Sequence, residues 1–262
     1  MTIPFVPLLG FSGSSGISCF FTTRQGGVSE QAYFSCNLGD HVGDSRQNVL
    51  ANRQRLAAAL GLDSDQCCWL RQVHGRDTVT ITEPLAGLPP VEADAMVTNQ
   101  SGLLLGILTA DCLPLLFMDG GARVIGAAHA GWRGALAGVV PSCLEAMARL
   151  GGRSQAIRVI MGPCIRQDAY QVGEEHYQQF IQHDTGNGRF FAKKGSDTQS
   201  TFHFDLAGYV TQQLTDCGIM ERHIDDVGLC TFSREEQFFS HRRAMLEGQK
   251  QCGRQMGGIW LH

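Results

Sequence analysis

The chain has 262 residues, is 43% hydrophobic and 18% charged, and carries a formal net charge of −4. This balance gives no bulk electrostatic reason to expect a nucleic-acid partner, and no apolar run is long enough to span a membrane. Residues 1–10 lack the features of a secretory signal and the ten cysteines form no CxxC pair, so we expect a cytoplasmic protein with reduced thiols.

The amino-terminal half is predicted as strands separated by Gly-rich turns, with one helix. A strand at residues 17–23 leads into a Gly-Gly turn beside Arg24, which suits either an anion site or a solvated hairpin turn. A helix is predicted over residues 45–60, because apolar residues recur there at helical spacing after the capping residue Ser45. Further strands are predicted where apolar residues alternate or run together, at residues 69–75, 92–98 and 103–108.

The centre of the chain is predicted as a hairpin that holds two metal-ligating residue types at one end. Two apolar segments flank a turn at residues 118–121, with Cys112 at the start of the first and His129 at the end of the second. Antiparallel pairing would bring the thiol and the imidazole to the same end of the sheet. Such a pair suits either a metal ion or a cysteine–histidine catalytic pair, and the local pattern leaves both open.

A third ligand candidate, His74, stands at the end of a predicted strand far upstream. Three protein ligands with one open position are typical of catalytic zinc, so His74, Cys112 and His129 form a candidate zinc site. A thiolate with two imidazoles also suits copper. Asp94, inside another predicted strand, is expected either to orient a ligand histidine or to cap a turn.

The carboxy-terminal half is predicted to mix helices and strands. A helix over residues 135–150 follows Arg133, and free N–H groups at its start would suit an anion together with that arginine. Pro141 is expected to kink or split this helix. Residues 183–199 lack periodicity and are predicted as a surface loop. Strands are predicted at residues 157–161, 227–231 and 256–261, one helix ends near residue 180, and another covers 204–215.

Four arginines stand next to glycine, aromatic or strand-end positions, and arginine is suited to bidentate binding of phosphate or carboxylate. They are Arg24, Arg133, Arg242 and Arg243. A single arginine of this kind is commonly a surface charge. Several gathered around a metal would favour a reaction that uses phosphate.

Short motifs spread over nearly the whole chain resemble, in collinear order, those of one known family. The most specific are QVHG at residues 72–75, TADC at 109–112 and HAGWRG at 129–134. Others are TTRQGGVS at 22–29, NLG at 37–39, HVGD at 41–44, GPCI at 162–165 and FSHRR at 239–243. The combination is similar to the YfiH-like, laccase-domain family, also described as peptidoglycan-editing-factor-like.

The resemblance implies an α+β fold. This fold is a layered α/β sandwich with mixed β-sheets flanked by helices, formed by residues 1–262 as a single domain. The resemblance also implies that His74, Cys112 and His129 bind a catalytic metal, which is zinc or, as the alternative, copper. The sequence departs from the family pattern at Cys36, where Leu is common, and at His241, where Tyr is common. Neither departure touches the three ligands.

In activity, the resemblance implies a metal-dependent purine nucleoside enzyme that is both a transferase and a hydrolase. The expected transfer reaction is phosphorolysis of adenosine, inosine, guanosine and 5′-methylthioadenosine to the base and (methylthio)ribose 1-phosphate. The expected hydrolysis is deamination of adenosine. The partners would be small-molecule nucleosides and phosphate, and the protein would be a monomer or a weak homodimer.

Further site residues are assigned as candidates around the three ligands. The candidates for substrate and phosphate binding are Arg24, Arg133, Asn37 and His41. Deamination also needs an acid or base, for which Asp111, His41 and Glu174 all qualify by residue type. Asp111 directly precedes Cys112 and is counted with the three ligands as a catalytic residue.

Three other functions would use the same residues. One is copper-dependent, laccase-like polyphenol oxidation, and another is an amidase that edits peptidoglycan precursors of the UDP-MurNAc-amino acid type. The third is a zinc-stabilised binding protein without activity, which would close the metal's coordination with a fourth protein ligand, Cys164 or Cys230. A zinc-bound Cys112 would not be free as a nucleophile, and this disfavours a cysteine hydrolase.

Overall fold

Two mixed β-sheets flanked by helices form the centre of the fold in the computed structural model, which describes residues 3–6, 8, 16–194 and 201–262. The strands of this described part are β1 (Ile17–Phe21), β2 (Cys67–Trp69), β3 (Thr78–Thr80), β4 (Ala95–Thr98), β5 (Leu104–Thr109), β6 (Leu113–Asp119), β7 (Val124–Ala130), β8 (Arg158–Met161), β9 (Gln171–Val172), β10 (Phe191–Lys194), β11 (Thr201–Phe204), β12 (Ile224–Asp226) and β13 (Gln255–Leu261). Its α-helices are α1 (Arg46–Leu60), α2 (Trp132–Ala137), α3 (Val139–Arg149), α4 (Glu174–His183), α5 (Leu206–Asp216) and α6 (His241–Leu246). None of the helices in these ranges is both long enough and apolar enough to cross a membrane.

The larger sheet has six strands in the order β12-β8-β6-β7-β4-β3, and the second has four in the order β1-β13-β5-β2. Both sheets are mixed. The pairs β12–β8, β3–β4 and β2–β5 are parallel, and the remaining pairs are antiparallel. A small antiparallel sheet, β10-β11-β9, stands apart from these two. The predicted α+β class with mixed sheets flanked by helices is confirmed.

Three of the four clusters of buried apolar side chains in the described part define the layers. One cluster lies between the two large sheets and includes Ile107 and Leu116. A second joins the other face of the six-stranded sheet to α3, α4 and α5, and it includes Phe117 and Leu214. A third joins the outer face of the four-stranded sheet to α1 through Leu56. The layers therefore run from α1 through the four-stranded and six-stranded sheets to α3, α4 and α5.

The two central strands explain why the metal-ligating residues meet. Strands β6 and β7 read as almost continuous apolar runs, and every residue in both is buried. This pattern is typical of strands covered on both faces. The predicted hairpin is confirmed, since Leu113 pairs with Ala130 in antiparallel register. Cys112, just before β6, and His129, near the end of β7, therefore lie at the same end of the sheet.

The helix predicted after the hairpin is split, as expected, but the position and the cause of the break were wrong. The break falls at Gly138, whose φ of 95° ends α2, and its N–H donates to the carbonyls of Gly134 and Ala135. Glycine adopts this left-handed conformation without steric cost. Pro141 lies in the first turn of α3, where its missing N–H would have no helical acceptor.

Two predicted strands were wrongly bounded. The strand predicted at residues 69–75 ends at Trp69, and His74 lies in a loop with a φ of 59°. Strand β12 ends at Asp226, before the strand predicted at residues 227–231 begins. In both places the hydrogen-bonding partner lies far away in the chain, so local alternation does not reveal where the pairing stops.

The surface loop predicted at residues 183–199 was also wrong over most of its length. The 3-10 helix Thr185–Phe190 and strand β10 occupy residues up to 194, while residues 195–199 lie outside the described part. Strand β10 forms because it pairs with β11 in the small sheet, which a single-segment pattern cannot show.

Candidate metal centre

His74, Cys112 and His129 converge at the end of the β6–β7 pair. Each offers a ligand atom, these atoms all lie within 4.8 Å of one another, and the described residues contain no second such group. A tetrahedral zinc with ordinary bond lengths separates its ligand atoms by roughly 3.3–3.8 Å. The three ligand atoms would therefore need to move only slightly closer together to bind zinc. His129 is buried, Cys112 is half-buried and His74 is exposed, so the group opens towards solvent on the His74 side.

Asp94 fixes the orientation of His129. The two side chains are buried, and Asp94 Oδ1 lies 2.7 Å from His129 Nδ1. A carboxylate only accepts hydrogen bonds, so Nδ1 carries the proton and donates. The other ring nitrogen, Nε2, is left to face Cys112 or a metal ion. A carboxylate behind a ligand histidine is a common arrangement in metal sites.

The same Asp94 carboxylate builds the loop that carries His74. It accepts hydrogen bonds from the backbone N–H groups of Val73 (3.1 Å), His74 (3.0 Å) and Gly75 (2.6 Å). Three consecutive amides directed at one carboxylate hold the chain in a tight turn, and this accounts for the positive φ of His74. One buried side chain thus positions two of the three candidate ligands.

Two glycines of the HAGWRG motif allow this close packing. A Cβ atom on Gly131 would lie 2.8 Å from His74 Nδ1 and 3.1 Å from Cys112 Sγ. A Cβ atom on Gly134 would lie 2.6 Å from the carbonyl oxygen of Gly75. Larger residues at either position would push α2 away from the His74 loop, so the glycines set how closely the ligands approach.

The charges of the group favour metal binding. Burial opposes ionisation of Cys112, but the charge of His129 and hydrogen bonds from His129 and His74 lower the pKa of the thiol to about 6. Burial likewise opposes protonation of His129, yet the charges and hydrogen bonds of Cys112 and Asp94 raise its pKa to about 9. At neutral pH the metal-free site therefore holds a thiolate beside an imidazolium, and the thiolate is the form that binds metals.

Metal binding is expected to release about one proton per protein near neutral pH. With a pKa of about 9, His129 still carries a proton that the metal must displace, whereas Cys112, with a pKa of about 6, has already lost its own. Apparent affinity should therefore rise by up to about tenfold per pH unit from neutrality towards the His129 pKa, and level off above it. Calorimetric titration in two buffers of different ionisation enthalpy measures the protons. Metal binding that releases no protons, with an affinity independent of pH, would contradict the ion pair of the Cys112 thiolate and the His129 imidazolium.

Asp111 has its carboxylate enclosed by protein donors. Oδ1 accepts from the Thr231 hydroxyl at 2.6 Å, while Oδ2 accepts from the Ser240 hydroxyl at 3.0 Å and the Arg242 backbone N–H at 2.7 Å. The backbone of Asp111 is left-handed, with a φ of 94°. Strain of this kind next to a ligand is typical of functional sites. The contacts support a role in positioning Cys112 more than a role as a mobile acid or base.

The candidate phosphate ligand Arg24 is engaged by its own surroundings. Its guanidinium donates to the carbonyls of Phe34 (2.8 Å) and Glu235 (3.2 Å) and lies over the Phe239 ring at 4.7 Å. The neighbouring Gly-Gly turn packs tightly, because a Cβ atom on Gly27 would lie 2.2 Å from a backbone oxygen of the chain itself. The close approach at this turn is therefore to protein backbone.

Asn37 and His41 belong to the loop before α1. The Asn37 side chain is fully buried and bonds to Gly39 and Asp44, so it holds the loop together. His41 is exposed and lies 3.7 Å from the Asp40 carboxylate. Neither residue is among the three side chains that converge on the candidate metal position.

The remaining candidate residues from the sequence lie in different parts of the fold. Arg133 is exposed and stacks on the Trp132 ring at 4.2 Å, two residues beyond Gly131, the glycine packed against His74 and Cys112. Glu174 is exposed at the start of α4 and accepts a hydrogen bond from Gln178. Cys164 and Cys230, considered above as a fourth ligand, are paired through their backbones in an isolated parallel β-bridge and are not part of the three-residue group.

Two residues near the site were missed by sequence reasoning. The charge of Cys112 contributes to raising the pKa of Tyr170, after the larger effect of burial. His176 stacks against Trp132 with ring centroids 4.3 Å apart. Tyr170 lies in a loop without periodicity and His176 on a polar helix, so neither carried a local signal.

Comparison with known proteins places this geometry in a family. Residues 18–262 match the family model described as "Multi-copper polyphenol oxidoreductase laccase". Purine nucleoside phosphorylase YfiH of Escherichia coli is 37% identical over 247 residues, which are 94% of this chain and 94% of that protein. Purine nucleoside phosphorylase of Deinococcus radiodurans is 41% identical over 243 residues, 93% of this chain and 90% of that protein.

A solved structure agrees with these sequence matches. The hypothetical protein YfiH of Bacillus licheniformis superposes with a TM-score of 0.87 at 29% identity, covering 94% of this chain and 93% of that one. Sequence and structure matches alike extend over nearly the whole chain. The chain therefore belongs to the YfiH family, whose sequence model carries the laccase description.

Proposed function

We propose that this protein is a zinc-dependent purine nucleoside phosphorylase that also deaminates adenosine. The proposed substrates of phosphorolysis are adenosine, inosine, guanosine and 5′-methylthioadenosine. The observation that carries the proposal is the group of His74, Cys112 and His129, oriented by Asp94, in a chain whose relatives are named purine nucleoside phosphorylase.

The donor set fits zinc. One thiolate and two imidazoles make three protein ligands, and the exposed His74 side leaves room for a substrate group at a fourth position. A zinc ion bound there would supply Lewis-acid chemistry to a substrate oxygen or to water. Asp94 holds the His74 loop in place and, by accepting from Nδ1 of His129, would leave the Nε2 atom of that ring free to bind the ion. All ten cysteines are free thiols, which supports a cytoplasmic location.

In the proposed phosphorolysis, an oxygen of hydrogen phosphate forms a bond to C1′ of the ribose while the bond from C1′ to the purine nitrogen breaks. The electron pair of the broken bond leaves with the purine, and the proton of hydrogen phosphate balances the charge on that nitrogen. Positive charge develops on the ribose in the transition state. Holding the phosphate anion beside C1′ is therefore the main task of the protein.

Purified protein is expected to contain about one zinc per chain and to form adenine and ribose 1-phosphate from adenosine only when phosphate is present. Inosine should form from adenosine with or without phosphate, because deamination uses water. Metal analysis and chromatography of the products measure both reactions. A protein that is fully loaded with zinc but releases no base in the presence of phosphate would refute the proposed phosphorolysis.

Copper-dependent phenol oxidation is a second candidate, favoured by the description of the matching family model. A thiolate with two imidazoles also suits copper. This candidate predicts oxygen uptake with phenolic substrates after loading with copper, and no dependence on phosphate. The same purified protein, loaded separately with zinc or copper, distinguishes the two candidates.

A further inference from the structure

Two arginines beside the metal centre, Arg133 and Arg242, have aromatic side chains between them. Arg242 is tied to the centre by its backbone N–H, which donates to Asp111, the residue before Cys112. Arg133 lies two residues beyond Gly131, whose Cα faces His74 and Cys112. The two arginines therefore approach the Cys112 region from different elements, α6 and α2.

Aromatic rings connect the two arginines without a break. The Arg242 guanidinium lies 5.6 Å from the centroid of the Tyr170 ring, which is 6.2 Å from that of His176. His176 is 4.3 Å from Trp132, on which Arg133 stacks. We call Arg133, Trp132, His176, Tyr170 and Arg242 the arginine–aromatic row.

The polar groups of the row are positioned as donors. Burial, with a further contribution from the charge of Cys112, raises the pKa of Tyr170, so its hydroxyl keeps its proton. Burial and the charges of both arginines lower the pKa of His176 to about 4, so this ring is neutral at physiological pH. The row thus presents two positive charges and a phenolic O–H donor.

Two of these donors have no other acceptor. Among the described residues, neither the Tyr170 hydroxyl nor the Arg133 guanidinium makes a hydrogen bond, and the Arg133 guanidinium stacks on the face of Trp132. Arg242 uses one nitrogen, which donates to the Gln171 carbonyl at 2.7 Å. The charges of both arginines act on the pKa of Tyr170 and on that of His176, so both guanidinium groups lie near these two rings. Guanidinium and hydroxyl donors brought together in this way suit a tetrahedral dianion, because each of its oxygens accepts hydrogen bonds.

We propose that Arg133, Tyr170 and Arg242 form the phosphate subsite of the phosphorolysis reaction, with Tyr170 as a further residue that contacts the anion. The role of this subsite in phosphorolysis rests on the proposed function, whereas the binding of phosphate at the subsite does not. Arg24 is not part of the subsite, because its donors face protein carbonyls, and Arg242 is the second arginine in its place. The subsite lies beside the metal centre, because the backbone N–H of Arg242 donates to Asp111, the residue before Cys112.

The test uses Tyr170→Phe, which removes only the hydroxyl, and Arg133→Gln, which removes the charge at an exposed position. Each is expected to raise KM for phosphate about 10- to 100-fold, the effect of one hydrogen bond to a charged group. KM for adenosine and the zinc content should change by less than about twofold. The matched control is Tyr177→Phe, because Tyr177 stacks on Phe202 in the same aromatic cluster, and it should leave all three values unchanged.

An unchanged KM for phosphate in both variants, or a rise in KM for adenosine alone, would overturn the proposal. A second measurement separates it from the proposed function. Inorganic phosphate should raise the Tm of the zinc-loaded wild-type protein and raise it less in Tyr170→Phe and Arg133→Gln. If the wild type shows this shift but releases no base, the phosphorylase proposal fails and the anion site stands. If phosphate shifts no Tm and the variants turn over normally, the anion site fails.

Discussion

Replacing Cys112 with Ala is expected to remove the bound metal and to reduce phosphorolysis by about three orders of magnitude, since a Lewis-acidic metal contributes several kcal/mol to a transition state. The variant keeps His74 and His129, but two imidazoles without the thiolate hold zinc far more weakly. It also removes the negative charge that keeps His129 protonated, so the pKa of His129 should fall.

The control for Cys112→Ala is Cys217→Ala. Cys217 is also half-buried, but it lies at the end of α5 and is not in the ligand group. This control should retain both zinc and activity. Metal analysis, turnover of adenosine with phosphate, and a thermal unfolding scan decide the outcome. A Cys112→Ala protein that loses zinc and still carries out both reactions at the wild-type rate would refute the metal-dependent mechanism.

Much of the sheet around the site could be predicted from sequence, because its signals are local. The apolar runs on either side of residues 118–121 indicate a buried hairpin, and antiparallel pairing then fixes the ends of the strands relative to each other. Cys112 and His129 were predicted to meet for this reason. The carboxylate of Asp94 was predicted as one of two alternatives, and the structure shows that it performs both, orienting His129 and bracing a turn.

The setting of His74 could not be predicted in the same way. Residues 69–75 alternate in a manner typical of a strand, yet His74 sits in a turn held by a carboxylate 20 residues further along the chain. That hydrogen bond determines the backbone conformation of His74, and the local sequence pattern does not indicate such a tertiary contact. The ligand was identified by residue type and resemblance, while its structural support depends on a tertiary contact.

The arrangement of the arginine–aromatic row could not be predicted from sequence for a related reason, although its two arginines were candidates by residue type. Arg242 reaches the metal centre through a hydrogen bond to Asp111, 131 residues earlier. Tyr170 lies between the short strand β9 and the GPCI motif, where no periodicity singles it out. Four arginines were candidates by residue type alone, and only folding distinguishes Arg24, which bonds to carbonyls, from Arg133, which does not.

Asp94→Asn is expected to weaken zinc binding about 10- to 100-fold, the usual effect of removing the partner of a ligand histidine. The neutral amide cannot stabilise the charge of His129. It also has only one oxygen to accept from Val73, His74 and Gly75. An unsatisfied buried donor costs about 1–3 kcal/mol, so the metal-free variant should also unfold at lower urea concentration. Zinc competition with a chelating dye measures the affinity.

Asp119→Asn provides a control that separates stability from metal binding. Asp119 is equally buried and also accepts three backbone hydrogen bonds, from Gly121, Ala122 and Arg153, at the opposite end of β6. Asp119→Asn should therefore lower the free energy of unfolding by a similar amount, about 1–3 kcal/mol, without changing the affinity for zinc. Equal losses of zinc affinity in both variants would show that the effect of Asp94 is general destabilisation. A loss of zinc affinity that occurs only in Asp94→Asn would show that Asp94 acts by orienting His129 and His74.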